Sequence, residues 1–196
     1  MKKILISIHG FHSSPFSLKS RQMDNYLAIF HPEITFVCPQ LPCQPAEMWS
    51  TLQALFEKHK NDDVALMGSS LGGYLATKAV QEYGFNAVLI NPVSGPVDIP
   101  EALKGEQTHP YLNETYTLDE NYIEQASKLR VDHLAHPENF MVLLQENDML
   151  LDHTLALEKY NESTVICEPG GDHSFLEFDR HIPTVLKFLF DVNQKY

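Results

Sequence analysis

The 196-residue sequence has few basic side chains and no long apolar run. Its 14 Lys and Arg residues against 26 Asp and Glu residues give a formal net charge of -12. This charge disfavours nucleic acids and acidic membrane surfaces as partners, because phosphate binding needs a basic face. No apolar stretch approaches the roughly 20 residues that a membrane-spanning helix needs. We therefore expect a soluble protein whose partner is a small molecule.

Cysteine is also scarce, with three residues: Cys38, Cys43 and Cys167. This odd number, at no metal-ligand or redox spacing, does not suggest a disulfide framework. This usage suits a reducing cytoplasm, so we expect a cytoplasmic protein with structural thiols. The apolar run after Lys2 and Lys3 ends at His9-Gly10 without a small-residue cleavage site. We interpret it as a buried strand and not as a signal peptide.

The length and the 43% content of hydrophobic residues suit one sizeable core, so we expect a single domain over residues 1–196. Short aliphatic runs alternate with helical patterns along the chain, which predicts an α/β fold. We expect a mostly parallel six-stranded sheet with right-handed crossovers and helices on both faces. The predicted strands are residues 4–8, 34–37, 64–67, 87–90, 140–144 and 164–167.

The hydrophobic pattern breaks down between residues 93 and 121, a stretch that contains Pro96, Pro100, Gly105 and Pro110. This segment is longer than an ordinary connection in a compact domain, and such segments are commonly functional. We expect a cap or lid over a substrate pocket. An irregular surface loop is the alternative.

The segment Gly68-Ser69-Ser70-Leu71-Gly72-Gly73 follows a predicted strand and precedes a helical pattern. A Gly-x-Ser-x-Gly motif in this context is typical of a nucleophile elbow, in which serine occupies a sharp strand-to-helix turn. Ser70 is the predicted nucleophile. Ser69 is excluded because Met67 and Leu71 flank it where the motif requires glycine. A Gly/Ser-rich turn without chemistry is the alternative.

A serine nucleophile needs a base, and the base needs an acid, both from strand ends that follow it in the chain. Asp148, just past the fifth predicted strand, is the favoured acid. Asp152 is the rival, although it suits the N-cap of the next helix. Glu146 is less favoured because we expect it to belong to the strand still.

Ten histidines are available as the base, and His173 alone follows both an acid and a strand end, behind Gly170-Gly171. His59, His153 and His181 fall in helical patterns and are expected at the surface. Backbone N–H groups of Phe11 and Leu71 are the predicted oxyanion hole. A metal site built from His9, His12, Asp172 and His173 is disfavoured because the spacing matches no known ligand set. His9 has the simpler interpretation of a hydrogen-bonding residue at the strand end.

Together these motifs resemble the small bacterial YqiA-type esterases of the α/β-hydrolase superfamily. The matching segments also include Pro39-Gln40-Leu41-Pro42, Asn91-Pro92, Leu151-Asp152 and Phe175. The resemblance implies a compact hydrolase fold, a Ser70-Asp148-His173 triad and hydrolysis of carboxylic esters or thioesters without a cofactor or metal. One difference is Asn147, since YqiA-type proteins commonly have glycine directly before the acid.

The sequence therefore predicts a serine esterase or acyl-thioesterase that acts on a small-molecule substrate. A peptidase or a carbon–carbon bond hydrolase with the same triad is a second hypothesis, and a non-catalytic acyl-binding module is a third. The acidic surface makes a coenzyme A leaving group less natural. Lys104, Lys128 and Arg130 near the expected cap would offset this locally.

Overall fold

A computed structural model describes residues 1–97 and 101–192. The strands in these residues are β1 (Lys3–Ile8), β2 (Ile34–Val37), β3 (Asp63–Ser69), β4 (Asn86–Ile90), β5 (Gly105–Thr108), β6 (Thr115–Leu118), β7 (Phe140–Gln145) and β8 (Thr164–Glu168). Six of them form one sheet in the order β2-β1-β3-β4-β7-β8, and every neighbouring pair is parallel. The predicted α/β fold with its parallel sheet is confirmed.

Two hydrophobic clusters lie on opposite faces of the sheet because alternate residues of each strand point to opposite sides. The helices are α1 (Leu18–Phe30), α2 (Pro45–Lys58), α3 (Leu71–Tyr83), α4 (Glu120–Ser127), α5 (His153–Lys159) and α6 (Ile182–Phe190). Leu66 of β3 packs with α2, α3 and α5, whereas its neighbours Ala65 and Met67 pack with α1 and α6. Helices therefore cover both faces, as the aliphatic strands predict.

The segment from 93 to 121 contains regular structure that its hydrophobic pattern did not predict. Strands β5 and β6 pair antiparallel as a hairpin, and a 3-10 turn at Glu101–Leu103 precedes them. The hairpin strands are short, and alternate residues are exposed, so they carry few aliphatic side chains. Leu118, the last residue of β6, packs with Tyr122 of α4. Pro100 lies outside the described residues.

In the described ranges, no helix has both the length and the apolar composition that a membrane span requires. The three cysteines are free thiols. Burial raises the pKa of each of them, as expected for thiols with a structural role.

Candidate active site

Ser70 lies in a tight turn between the last residue of β3 and the first residue of α3. Its backbone has φ 55° and ψ -121°, a conformation that residues with a side chain rarely adopt. The Ser70 N–H donates to the Ile90 carbonyl at 3.0 Å, and the Ser70 carbonyl accepts from Gly73 at 2.9 Å and Val93 at 3.1 Å. These bonds hold the strained residue in place, as the elbow interpretation requires.

Gly72, two residues after the nucleophile, must be glycine because α3 packs directly against the end of β1. A Cβ atom on Gly72 would lie 2.0 Å from the Ile8 carbonyl oxygen and 2.8 Å from that of His9. Both contacts are with backbone atoms, which cannot move aside as a flexible side chain would. The motif therefore reflects close packing of helix and strand as well as the turn itself.

The side chains of Ser70, His173 and Asp148 form a continuous hydrogen-bonded row. His173 Nε2 lies 3.0 Å from Ser70 Oγ, and His173 Nδ1 lies 2.7 Å from Asp148 Oδ2. The Asp148 side chain is only 2% exposed, so this carboxylate interacts with the imidazole away from water. A carboxylate at Nδ1 favours the tautomer with its proton there, which leaves the Nε2 lone pair facing the serine hydroxyl.

Asp148 is itself fixed by the loop that carries it. Its second oxygen, Oδ1, accepts hydrogen bonds from the N–H groups of Leu150 and Leu151, both at 2.9 Å. Asn147 lies outside the left-handed backbone region, so the loop does not need the glycine that is common at this position.

The two rival acids lie elsewhere. Asp152 is the N-cap of α5, and its Oδ1 accepts from the N–H of Thr154 at 2.9 Å and from the Thr154 hydroxyl at 2.7 Å. These bonds lower the pKa of Asp152. Glu146 is exposed and is the first residue after β7, so the expectation that it belongs to the strand is wrong.

The other candidate histidines have local roles. His59 ends α2, with Nδ1 3.1 Å from Asp62 Oδ2, and His153 is the first residue of α5. His181 is buried, contrary to the expected surface position, because Phe175 packs against its ring and Glu168 lies 3.1 Å from its Nε2. A helical pattern identifies the face of a helix but not what covers that face.

His9 and His12 are engaged in contacts within the protein. His9 Nε2 accepts from the Leu41 N–H at 3.1 Å, and burial lowers the pKa of His9, so the neutral ring is favoured. His12 Nε2 lies 2.7 Å from the Tyr116 hydroxyl of the hairpin. Within the described ranges, no group of three or more His, Cys, Asp or Glu side chains is arranged to hold a metal ion.

The segments with the two predicted oxyanion donors adjoin Ser70. Leu71 is the first residue of α3, and the loop with Phe11 passes so close that a Cβ on Gly10 would lie 3.2 Å from Ser70 Cβ. Among the described residues, no backbone or side-chain acceptor binds the N–H of Phe11 or Leu71. Two such donors beside a nucleophile can bind an anionic oxygen of a reacting group.

The sequence model of the uncharacterised protein family UPF0227 matches residues 4–190. The chain belongs to this family. Membership confirms the resemblance to the YqiA-type family.

Solved structures of α/β hydrolases share the fold of this UPF0227 chain. A putative hydrolase from Agrobacterium vitis S4 is 20% identical, with a TM-score of 0.74 over 96% of this chain and 88% of that one. Est1E from Butyrivibrio proteoclasticus is 15% identical, with a TM-score of 0.70 over 97% and 89%. XC6422 from Xanthomonas campestris, described as a serine hydrolase without a lid, is 13% identical, with a TM-score of 0.68 over 98% and 84%.

The sequence did not reveal the role of two polar residues, Asn91 and Gln145, that hold the His173 loop in this UPF0227 protein. Asn91, at the end of β4, donates from Nδ2 to the carbonyls of Asp172 at 3.0 Å and His173 at 3.2 Å. Its Oδ1 accepts from the Gln145 N–H at 3.1 Å. Asn91 thus connects the strand that leads to the acid with the loop that carries the base.

Gln145, the last residue of β7, holds the same loop on its other side. Its Oε1 accepts from the N–H groups of Asp172 at 3.2 Å and Leu176 at 2.8 Å, and its Nε2 donates to the Leu176 carbonyl at 3.0 Å. A buried polar side chain must find hydrogen-bond partners. A glutamine at the end of an apolar strand is therefore the sequence signal that could have identified Gln145 as a support of the site.

Proposed function

We propose that this UPF0227 protein is a serine hydrolase that cleaves carboxylic esters or thioesters through an acyl-enzyme. The observation that carries this proposal is the row of hydrogen bonds from Ser70 through His173 to buried Asp148, at 3.0 and 2.7 Å. A serine in a strained elbow, an imidazole whose Nε2 faces the serine hydroxyl and a buried acid are the parts that nucleophilic acyl transfer needs.

In this mechanism Ser70 Oγ attacks the acyl carbonyl carbon while His173 Nε2 takes the hydroxyl proton. The carbonyl oxygen becomes an oxyanion and accepts from the N–H groups of Phe11 and Leu71. Collapse of the intermediate breaks the ester or thioester bond, and His173 returns the proton to the leaving alcohol or thiol. Water then attacks the acyl-enzyme by the same route and releases the acid. None of these steps requires a cofactor.

The test is labelling with a fluorophosphonate probe, an electrophile that reacts rapidly with an activated serine. We expect the wild type to be labelled at Ser70, located by mass spectrometry, and the variants Ser70→Ala and His173→Ala to take no label. The exposed Ser50 of α2 offers a matched control, and Ser50→Ala should be labelled at the wild-type rate. A folded wild type without label would overturn the proposal and favour a non-catalytic acyl-binding module.

A substrate panel tests the bond that is cleaved. We expect hydrolysis of short acyl esters and thioesters and no hydrolysis of the matched amides. A good amide substrate would contradict the ester assignment and support a peptidase with the same three residues.

We also infer that the segment from 93 to 121 is a cap beside the substrate entrance. Its hairpin contacts the loop of Phe11 through the 2.7 Å bond from Tyr116 to His12, and Leu118 and Tyr122 pack near Phe11. The free thiols support a reducing compartment, so we propose a cytoplasmic location.

A further inference from the structure

A cavity of about 190 Å³ opens beside Ser70 and His173, between the end of the sheet and the start of α1. Seven of the fifteen residues that line it are serines, so the cavity offers polar groups to an occupant as well as apolar surface. The serines that line it, besides Ser70, are Ser7, Ser13, Ser17, Ser20, Ser69 and Ser174.

In the described part of the chain, Lys19 of α1 is the only lysine or arginine in the wall of this cavity. It is half-buried, and its Nζ donates to the Ser174 carbonyl at 2.6 Å. An ammonium group has three N–H donors, so this bond leaves two of them available. Among the residues that the structure describes, no carboxylate forms an ion pair with Lys19. Burial lowers the pKa of Lys19 because desolvation disfavours the charged ammonium group, and an anionic ligand beside it would offset that cost.

Asp172 is the acidic residue that acts on Lys19 most directly, and it raises the pKa of the lysine in part. Its carboxylate is exposed and bonded within its own loop, where Oδ1 accepts from the Ser174 N–H at 2.8 Å and from the Ser174 hydroxyl. Lys19 therefore remains available for a ligand. The N-terminal end of α1, where Ser17 is the N-cap, adds positive potential to the same cavity.

We propose that Lys19 binds a carboxylate or similarly small anionic group of the substrate, a few atoms from the carbonyl that Ser70 attacks. This inference rests on the proposed hydrolase function and narrows its substrate class to esters or thioesters that carry an anionic group near the scissile carbonyl. A protein with a formal net charge of -12 repels anions in general, so a cation in this cavity would provide local selectivity.

Two matched pairs of esters test the proposal. Monoethyl glutarate and ethyl pentanoate differ by a carboxylate on the acyl side, and 4-acetoxybutanoate and butyl acetate differ by a carboxylate on the alcohol side. The measured quantity is the ratio of kcat/KM for the anionic ester to that for its neutral partner. In at least one pair, Lys19→Met should lower this ratio by about tenfold or more, mainly through KM, because a charge-assisted hydrogen bond is lost.

Lys19→Arg keeps the charge and should retain most of the ratio. Lys187→Met changes the net charge equally at an exposed position of α6 and should leave both members of each pair unchanged. If Lys19→Met lowers anionic and neutral esters by the same factor in both pairs, Lys19 only holds the His173 loop and the proposal is wrong. If the wild type hydrolyses none of the four and takes no fluorophosphonate, the hydrolase function itself fails and this inference fails with it.

Discussion

Asn in place of Asp148 would change which nitrogen of His173 carries the proton. The Asp148 carboxylate accepts three hydrogen bonds, one from His173 Nδ1 and two from the N–H groups of Leu150 and Leu151. Asn has one acceptor oxygen, and the two backbone donors would retain it. Its NH2 group would then face Nδ1, which must accept, so the imidazole proton moves to Nε2. A protonated Nε2 cannot take the proton of Ser70.

This change of tautomer should lower kcat by about 10³- to 10⁴-fold. At about 1.36 kcal/mol for each factor of ten, the loss is about 4 to 5.5 kcal/mol of transition-state stabilisation. The fold should persist, because Asn has the same shape and keeps the two loop hydrogen bonds. We expect the midpoint of thermal unfolding to fall by no more than about 4 °C, which corresponds to about one lost hydrogen bond in a chain of this length.

The assay is steady-state ester hydrolysis together with the rate of fluorophosphonate labelling, with circular dichroism for the fold. Asp152→Asn is the matched control. Asn caps a helix as well as Asp does, so its rate should stay within about twofold of the wild type. Near-full activity in Asp148→Asn, with loss in Asp152→Asn, would refute the assignment of the acid. Equal losses in both variants would refute the argument from the tautomer.

Three further changes test other parts of the structure. Asn91→Ala should lower kcat by about 10- to 100-fold with little change in KM, because the His173 loop loses its hydrogen bonds to Asn91. Steady-state kinetics measure both constants, and a change in KM alone would contradict this expectation. Gly72→Ala should destabilise the fold by about 3 kcal/mol or more in urea denaturation, whereas Gly84→Ala, with φ 72° and open space around it, should cost about 1 kcal/mol. His9→Gln should be less stable than the wild type at pH 7, and the gap should shrink towards pH 5. The reason is that burial lowers the pKa of His9, so wild-type stability falls as the unfolded histidine gains a proton below its ordinary value of 6.5.

The sheet could be predicted from the sequence because parallel strands buried on both faces are almost purely aliphatic. The hairpin could not, since β5 and β6 are four residues each and half of their side chains meet solvent. Helix α4 was missed for a related reason: Tyr122 and Ala126 are its buried residues, too few for a visible apolar stripe.

The predicted site residues come from the order of serine, acid and histidine at strand ends, and the structure brings Ser70, Asp148 and His173 within hydrogen-bond distance. Their catalytic roles stay predictions that the labelling and Asp148→Asn experiments test. Order along the chain cannot reveal the supports of the site, because Asn91 and Gln145 reach the His173 loop through tertiary contacts. The burial of His181 depends on such contacts as well.

Two separate constraints set the two distances in the row of Ser70, His173 and Asp148. The acid and base loops leave adjacent parallel strands, and backbone bonds extend that pairing beyond the strands, from Glu146 N to the Glu168 carbonyl and from Asn147 N to the Gly170 carbonyl. The distance between Asp148 and His173 therefore follows from the register of β7 and β8. The distance between His173 and Ser70 has no such local source. It depends on tertiary contacts of the His173 loop, above all on Asn91, which directly follows the strand next to the elbow and bonds the His173 carbonyl. Loss of Asn91 should therefore separate the base from the nucleophile while the base stays paired with its acid.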